Sequence, residues 1–349
     1  MKAPLPVTLP GTPFALRAQH VALATREVPR HEVRLVVVVR RTGRVALEPF
    51  ARLPALLQPG DLVVINDAAT LPGSLRGRTA DDRAFELRLS GPITGSRIAG
   101  VVLGDGDWRT RTEDRGAPPP LAVGDRVTIG ALAATVVAVA GRHVELVAAA
   151  TEDVLWQALY ASGAPVQYAH RTEALPLWSV QTAYAARPWA AEMPSAGRPL
   201  TWDVILGLRR AGIEIARLTH AAGLSSTGDD ALDRALPWPE RYEIPARTAE
   251  AIAATRAHGG RVIAIGTTVV RALEASGGAA GSGVARLRLD AEYTPRVVDG
   301  LVSGLHVPGE SHYDLLRAFV THERLQRALA LAAEHGLSSH ELGDACLIA

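Results

Sequence analysis

Apolar runs of strand length alternate with amphipathic segments towards both ends of the chain, and this rhythm predicts a sheet flanked by helices. The clearest example starts at Arg247–Ala257, a predicted helix that Gly259 ends because glycine accepts the left-handed conformation. The apolar run Val262–Ile265 then predicts a short buried strand. The same order of helix, glycine and strand occurs at Leu200–Leu218. The recurrence predicts an α/β domain with a parallel or mixed sheet.

The turn after Val262–Ile265 is the first candidate binding site. Gly266 ends the strand, and Thr267 or Thr268 is expected to cap the next helix. Backbone N–H groups and two hydroxyls at the positive end of a helix suit a carboxylate, a phosphate or ribose hydroxyls. An ordinary strand-to-helix connection is the alternative, with Arg271 and Glu274 pairing one turn later on the helix.

The pattern changes between residues 74 and 149, where short alternating strands follow one another. Turns such as Gly104–Asp107 and Gly141-Arg142 separate them. This texture predicts a small antiparallel β-barrel inserted into the α/β domain. The strands predicted there are Phe85–Leu89, Ile98–Leu103, Arg126–Ile129, Ala134–Ala140 and His143–Val147.

Other segments complete the predicted α/β part. Glycine, alanine and serine make Gly277–Gly283 a predicted flexible loop. The remaining predicted elements are strands at Val33–Arg40, Val45–Leu47, Asp61–Ile65 and Val297–Leu305, and helices at Phe50–Leu57, Thr151–Ser162 and Tyr313–His335.

Composition narrows the chemistry. The net charge of +1 excludes a generally basic nucleic-acid coat but allows a local basic groove. Lys2 is the only lysine among the 37 basic residues, which excludes an internal Schiff-base lysine and a Walker P-loop. Cys346 is the single cysteine, so no disulfide framework is expected, in keeping with a reducing compartment.

Targeting, membrane and metal signals are weak. Met1–Pro10 lacks the apolar core of a signal peptide, and no apolar run reaches the length of a membrane span. We therefore expect a cytoplasmic protein without membrane contact. The pairs His306/His312 and His335/His340 do not have the spacing of a helical metal motif, so no metal is expected.

Two common enzyme classes lack their sequence signatures here. The chain has no Gly-x-Ser-x-Gly elbow, and the turn at Gly266 lacks the glycines of a dinucleotide-binding loop. Four aromatic residues have two alternative roles, stacking on a nucleobase or packing in the core, and packing is the commoner one. The four residues are Trp178, Tyr184, Trp189 and Trp202.

Seven motifs in one order run through nearly the whole chain. They are Pro59–Asp67 followed by Leu71-Pro72, Val180–Ala185, Met193–Gly197, Gly212–Ala216, Gly259–Glu274, Val298–Pro308 and Gly343–Ala345. This order resembles the S-adenosylmethionine:tRNA ribosyltransferase-isomerase family of queuosine biosynthesis. The resemblance implies a barrel-like α/β main domain built from both chain ends, residues 1–73 and 150–349. It also implies an inserted β-barrel domain, residues 74–149, which agrees with the strand pattern.

The resemblance implies a reaction as well. The family transfers the ribosyl part of S-adenosylmethionine to the aminomethyl group of a 7-deazaguanine in tRNA, where the sugar becomes an epoxycyclopentanediol, and adenine and methionine leave. The catalytic residues expected by motif are Asp67, Glu274, Asp299 and His306, with Asp344 as a further candidate carboxylate. The residues expected to bind S-adenosylmethionine are Gln181, Tyr184, Ala196, Gly197, Gly266, Thr267, Thr268 and Arg271. No metal is implied, and a monomer is expected.

Several positions depart from the family pattern. Pro199 stands where the family has a histidine, and Ala69 stands where it has an arginine. Three readings follow: a working tRNA enzyme, a paralogue that uses S-adenosylmethionine on a small molecule, or an inactive RNA-binding protein. Six arginines form a candidate tRNA track whose alternative is an ordinary solvated face. They are Arg76, Arg78, Arg83, Arg97, Arg109 and Arg111.

Overall fold

A computed structural model gives the fold of residues 21–339 and 342–349. Met1–Pro10 and His340, which entered the sequence predictions, lie outside these residues. The strands are β1 Ala22–Leu23, β2 Arg34–Val38, β3 Val45–Pro49, β4 Leu62–Asn66, β5 Ala68–Thr70, β6 Ser74–Thr79, β7 Ala84–Leu89, β8 Arg97–Gly104, β9 Arg126–Ile129, β10 Leu132–Ala140, β11 His143–Ala148, β12 Arg187–Ala190, β13 Glu214–His220, β14 Glu240–Ile244, β15 Val262–Ile265, β16 Gly281–Ala285, β17 Gly300–Gly304, β18 Ser338–Ser339 and β19 Ala345–Ile348. The helices are α1 Leu53–Leu56, α2 Glu152–Ser162, α3 Trp202–Arg210, α4 Asp230–Arg234, α5 Ala246–Ala257, α6 Thr267–Ser276, α7 Ser311–Arg317 and α8 His322–Glu334.

Both chain ends contribute to a nine-stranded sheet with the order β16-β14-β13-β4-β15-β17-β19-β2-β3. Its centre is parallel: β4 lies between β13 and β15, and β15 pairs with β17. The carboxyl ends of these four strands therefore meet at one edge of the sheet. In open α/β sheets ligands bind outside that edge.

Helices cover the central sheet on both faces, which explains why its strands read as unbroken apolar runs. In β4, Leu62 and Val64 face a core that includes α5, α6 and α8, whereas Val63 and Ile65 face a core that includes α1 and α3. All four side chains are buried. The α/β fold class predicted from the sequence is confirmed.

The inserted unit is a closed six-stranded barrel with the order β10-β11-β8-β7-β6-β9. Every pair of neighbouring strands in it is antiparallel. Its core is lined by residues such as Phe85, Leu87 and Val102, and Leu155 and Leu159 of α2 pack onto it. All six strands lie between residues 74 and 149, while the division of the chain there into two domains stays a prediction.

A charged cluster lies on the other face of β7. Glu86 and Arg88 alternate with the apolar barrel residues, and both are almost fully buried. Arg88 Nε lies 3.0 Å from Glu86 Oε1, and Arg115 pairs with the other carboxylate oxygen. Arg88 also donates a 3.2 Å hydrogen bond to the carbonyl of Gln167, outside the barrel strands. Through Arg88, the cluster therefore connects the barrel to the segment that contains Gln167.

Several elements of the structure differ from the sequence pattern. Part of the predicted loop Gly277–Gly283 belongs to β16, an edge strand that pairs with β14. The helical region predicted over Tyr313–His335 is two helices, α7 and α8. Strands β6 and β14 were not predicted, because β6 contains glycine and arginine and β14 is largely charged.

We expect Glu86→Gln to lower the free energy of unfolding by about 3 kcal/mol, because it leaves two buried guanidinium groups without their counter-charge. The control is Glu145→Gln, which removes an exposed partner 3.9 Å from Arg97 and should cost less than about 1 kcal/mol. Urea unfolding monitored by circular dichroism measures both. Equal losses would contradict a structural role for the buried cluster.

The same substitution should change the acid sensitivity. Burial raises the pKa of Glu86, but attraction to Arg88 and Arg115 outweighs burial and the pKa is lowered overall. A carboxylate with a lowered pKa contributes stability above its unfolded pKa of about 4.3 and loses it as the pH falls through the folded value. Glu86→Gln should therefore show a shallower loss of stability below about pH 4.3 than the unchanged protein.

Candidate active site

A cavity of about 1130 Å³ lies where the carboxyl ends of the parallel strands face the barrel insertion. Its walls include the segments that follow β13, β15 and β17, and part of the loop after β8. The volume is large enough for a nucleoside-sized ligand with a second group beside it. Of the site residues predicted from the sequence, those that line it are Ala196, Gly266, Thr267, Thr268, Arg271 and His306.

The turn between β15 and α6 opens onto this cavity. Gly266 adopts φ 97°, a conformation that favours glycine, and it is itself the cap residue of α6. The predicted capping by a threonine side chain is wrong, because the helix begins at Thr267 and Gly266 makes no side-chain cap. The first N–H groups of a helix have no partner inside it. The turn therefore presents donors and a positive dipole to the cavity.

Asn66 connects several segments beside the turn through its side-chain amide. Its Oδ1 accepts hydrogen bonds from the N–H groups of His220 at 2.9 Å and Ala68 at 3.1 Å. Its Nδ2 donates to the His220 carbonyl at 3.0 Å and to Thr268 Oγ1 at 3.3 Å. One buried amide thus fixes β4, the end of β13 and the start of α6.

His220 is completely buried at the end of β13, and neither ring nitrogen has a hydrogen-bond partner among the described residues. Burial and the charge of Arg271 lower the pKa of His220 to about 3. Its Nε2 lies 3.5 Å from Glu240 Oε2, but a neutral ring forms no ion pair at that distance. The uncharged imidazole therefore lies next to the Arg271–Glu240 pair without adding a positive charge.

Arg271 is held by the protein rather than left open to a ligand. Its guanidinium pairs with Glu240 and donates to the carbonyls of Trp238, Ala285 and Leu287. Burial, followed by the charge of Arg288, lowers the pKa of Arg271 to about 10. The pairing of Arg271 with Glu274, considered from the sequence, does not occur.

Glu274 and Asp299, both predicted as catalytic, make structural contacts. The Glu274 carboxylate accepts hydrogen bonds from three consecutive backbone N–H groups, residues 296–298, and from Tyr293 Oη, all at 2.9 Å. Asp299 Oδ2 accepts from the N–H of Val262 at 2.8 Å. Asp344 likewise accepts from the N–H groups at positions 34 and 338. None of the three carboxylates lines the cavity.

Asp67 and Gln181 also lie outside the cavity wall. Asp67 Oδ1 accepts a 2.6 Å hydrogen bond from Thr219, and its Oδ2 lies 3.6 Å from Arg217. Gln181 bonds both backbone groups of Thr70, as donor at 2.8 Å and acceptor at 2.9 Å. Their assignment to catalysis and cofactor binding stays a prediction, and the structure gives each a positioning contact.

Ala196 lines the cavity, and Tyr184 stands behind it against Gly197. A Cβ atom at Gly197 would lie only 2.0 Å from the Tyr184 hydroxyl, so the glycine makes room for that ring. Burial, and then the charge of Asp67, raises the pKa of Tyr184. The hydroxyl therefore stays protonated at neutral pH.

His306 lies on the cavity wall after β17. Its Nδ1 is 3.1 Å from Glu310 Oε2, and its ring stacks on His312 with 4.8 Å between centroids. The two histidines that the sequence placed six apart thus meet. Among the described residues, no group of three or more His, Cys, Asp or Glu is arranged to hold a metal ion.

Sequence reasoning missed several acidic and phenolic groups on the cavity wall, among them Tyr168, Glu192 and Glu240. Tyr168 lies outside the helices and strands predicted from the sequence, and Glu192 directly precedes the motif Met193–Gly197. The one sequence signal for Glu192 was its place beside that motif. Their convergence depends on the fold.

Comparison with known proteins decides the family. The sequence model of a family described as queuosine biosynthesis protein matches residues 12–348. The chain belongs to this family. This match confirms the resemblance to the queuosine biosynthesis family that the ordered motifs indicated.

Relatives within the queuosine biosynthesis family match along nearly their full length. The S-adenosylmethionine:tRNA ribosyltransferase-isomerase of Thermus thermophilus is 34% identical over 336 residues, covering 92% of this chain and 93% of the relative. The enzyme of the same name from Anaeromyxobacter sp. strain K is 34% identical over 347 residues, covering 96% and 97%. The crystal structure of an S-adenosylmethionine tRNA ribosyltransferase from Thermotoga maritima shares the fold, with a TM-score of 0.51, 22% identity and coverage of 94% and 96%.

No helix among residues 21–339 and 342–349 of this family member is long and apolar enough to cross a membrane.

We predict that the ring of His220 stays neutral from pH 8 down to about pH 4.5, because its pKa is lowered to about 3 by burial and Arg271. The ring signals in a nuclear magnetic resonance titration should stay constant over that range, whereas free histidine, the control, titrates near pH 6.5. A His220 midpoint above about pH 5.5 would contradict the buried neutral state.

The direction of the linked stability change follows. A histidine with a lowered folded pKa binds fewer protons folded than unfolded, so stability is lost as the pH falls from about 6.5 towards 3. His220→Gln should make that loss shallower in denaturant titrations.

Proposed function

We propose that this chain is an S-adenosylmethionine:tRNA ribosyltransferase-isomerase. It transfers the ribosyl part of S-adenosylmethionine to the aminomethyl group of a 7-deazaguanine in tRNA, with release of adenine and methionine. The observation that carries the proposal is family membership over residues 12–348, together with relatives of that name aligned along more than nine-tenths of the chain. The cavity supplies the chemistry that such a reaction needs.

S-adenosylmethionine carries a carboxylate and a sulfonium cation, and two cavity walls suit these groups. The turn Gly266–Thr268 offers backbone N–H groups at a helix N-terminus for the carboxylate. Arg271, the other sequence-predicted anchor, has its donors bound to Glu240 and to three carbonyls. We therefore assign the methionine carboxylate to the turn and give Arg271 a positioning role.

The acidic wall of the cavity is matched to the cationic centre. Glu192 and Glu240 line it, and the neutral His220 lies behind Glu240 without adding a positive charge. A sulfonium makes the neighbouring C5′ protons more acidic, so a base in this region has a task.

The tRNA would have to reach the cavity mouth. The six arginines of the candidate barrel track each form an ion pair: the partners of Arg76, for example, are Asp105 and Asp107. Their charges are therefore largely compensated. By contrast, Arg234 and Arg288 line the cavity and, within the described residues, form no ion pair. Arg288 donates to the carbonyls of residues 234 and 236, which leaves its charge available for a phosphate.

The function is tested by turnover. The pure protein should release adenine and methionine from S-adenosylmethionine when tRNA carrying the aminomethyl-deazaguanine is present, measured by liquid chromatography. tRNA without that base is the control and should give no release. Release without any tRNA would favour the paralogue that acts on a small molecule. No release under any of these conditions would contradict the proposed function.

The tRNA surface is tested by salt dependence. Combined Arg234→Gln and Arg288→Gln should weaken tRNA binding and reduce the slope of log affinity against log salt by roughly 1.5, because two phosphate contacts are lost. Filter binding at several salt concentrations measures the slope. The matched control is Arg76→Gln with Arg78→Gln, which should change it little because both charges are already paired. A larger effect from the control pair would indicate that tRNA binds the arginines on the barrel instead.

A further inference from the structure

A tyrosine and a glutamate form a fixed pair on the cavity wall. The hydroxyl of Tyr168 donates a 2.5 Å hydrogen bond to Glu192 Oε1. The N–H of Ser225 donates to the same oxygen at 2.9 Å, and the N–H of Ser226 donates to the Tyr168 hydroxyl at 3.2 Å. Both of these hydrogen bonds reach Oε1, which leaves Oε2 as the carboxylate oxygen that a ligand in the cavity can use.

The barrel holds this pair from behind. The guanidinium of Arg88 lies 5.1 Å from the centre of the Tyr168 ring, and only 1% of Arg88 is exposed. Arg88 is itself fixed by Glu86 and by the Gln167 carbonyl. A cation over an aromatic face stabilises the position of the ring. The carboxylate is therefore placed through a chain of contacts that begins in the barrel.

The charge state of Glu192 suits proton transfer. Burial raises the pKa of Glu192, and hydrogen bonds from Tyr168 and Ser225 and the charge of Arg88 oppose it without cancelling it. Burial and the neighbouring carboxylate raise the pKa of Tyr168 well above its usual value, so the hydroxyl remains a donor. Tyr168 and, from β7, Arg88 are thus titratable or charged groups that act on the pKa of Glu192.

Among the described residues, seven other carboxylates line the cavity, and three of them, Asp233, Glu240 and Glu310, are engaged inside the protein. Asp233 accepts hydrogen bonds from the hydroxyls of the loop before α4. Glu240 pairs with Arg271, and Glu310 contacts a histidine four residues earlier in the chain. Glu192 is set apart from these three, because it combines a fixed orientation with apolar neighbours, Met193 and Leu224, on the same cavity wall.

We propose that Glu192 is the general base that takes a proton from the aminomethyl ammonium group of the tRNA substrate. The inference rests on the proposed function. One N–H bond of the ammonium breaks, its electron pair stays on nitrogen as the nucleophilic lone pair, and the proton forms an O–H bond at Glu192 Oε2. Only the neutral amine can attack the ribosyl carbon, so this transfer precedes formation of the new C–N bond.

The geometry favours an amine over a planar guanine edge as the group that Glu192 receives. A guanine edge presents two parallel N–H donors and would use both carboxylate oxygens, but Oε1 already accepts from Tyr168 and Ser225. An ammonium needs a single oxygen. The best general base has a pKa close to the working pH, and burial moves a glutamate in that direction.

Glu192→Gln tests the proposal, because glutamine keeps the shape and the Oε1 acceptor but cannot take the proton. With the tRNA substrate, we expect kcat for adenine release at neutral pH to fall about 100-fold or more. The residual rate should rise with pH as more of the substrate amine becomes neutral by itself. The dissociation constant of S-adenosylmethionine, measured by calorimetry, should change less than threefold. Glu250→Gln, on the exposed side of α5, is the matched control and should retain the full rate.

Tyr168→Phe is the second variant, and it separates positioning from simple loss of structure. Without the phenolic donor, the pKa of Glu192 should rise further, so the acidic limb of the kcat–pH profile should move to higher pH. If Glu192→Gln keeps kcat within threefold of the unchanged protein, or Tyr168→Phe leaves the acidic limb in place, the proposal is overturned. Absence of tRNA-dependent release in the unchanged protein would instead refute the proposed function itself.

Discussion

The buried ion cluster on β7 is the constraint on which the site depends. Glu86 pairs with two arginines that would otherwise be costly to bury, and one of them, Arg88, contacts the ring of Tyr168 outside the barrel strands. Because Tyr168 in turn fixes Glu192, the barrel determines where a carboxylate stands in a cavity beside the central sheet. The barrel is thus a support for chemistry as well as a surface.

A second constraint lies at the edge of the sheet, where an uncharged side chain, Asn66, connects several segments. The amide of Asn66 joins three segments that would otherwise be independent loop ends, and it brings Thr268 beside His220. The result is a rigid turn at Gly266 facing the acidic wall. The N–H groups of the turn and the carboxylates therefore face one cavity, which suits the proposed zwitterionic sulfonium substrate.

The local residue patterns predicted much of the fold, but they predicted the residues of the candidate site less well. The strand Val262–Ile265 and the helix that follows were predicted correctly because the apolar run and the glycine act locally. Edge strand β16 was missed because its glycines resemble a loop and its order comes from pairing with β14. Glu274 lies in one of the ordered motifs, yet its carboxylate satisfies three backbone N–H groups. Glu192 could not be found from sequence, since Arg88 and Tyr168 approach it only through the fold.

The most direct test of the account is the structure of this protein with S-adenosylmethionine and free 7-aminomethyl-7-deazaguanine bound. The account predicts the methionine carboxylate within about 3 Å of the N–H groups at Thr267 and Thr268. It also predicts the aminomethyl nitrogen at the same distance from Glu192 Oε2. Binding of S-adenosylmethionine away from the Gly266 turn, or an amine that faces away from Glu192, would contradict it.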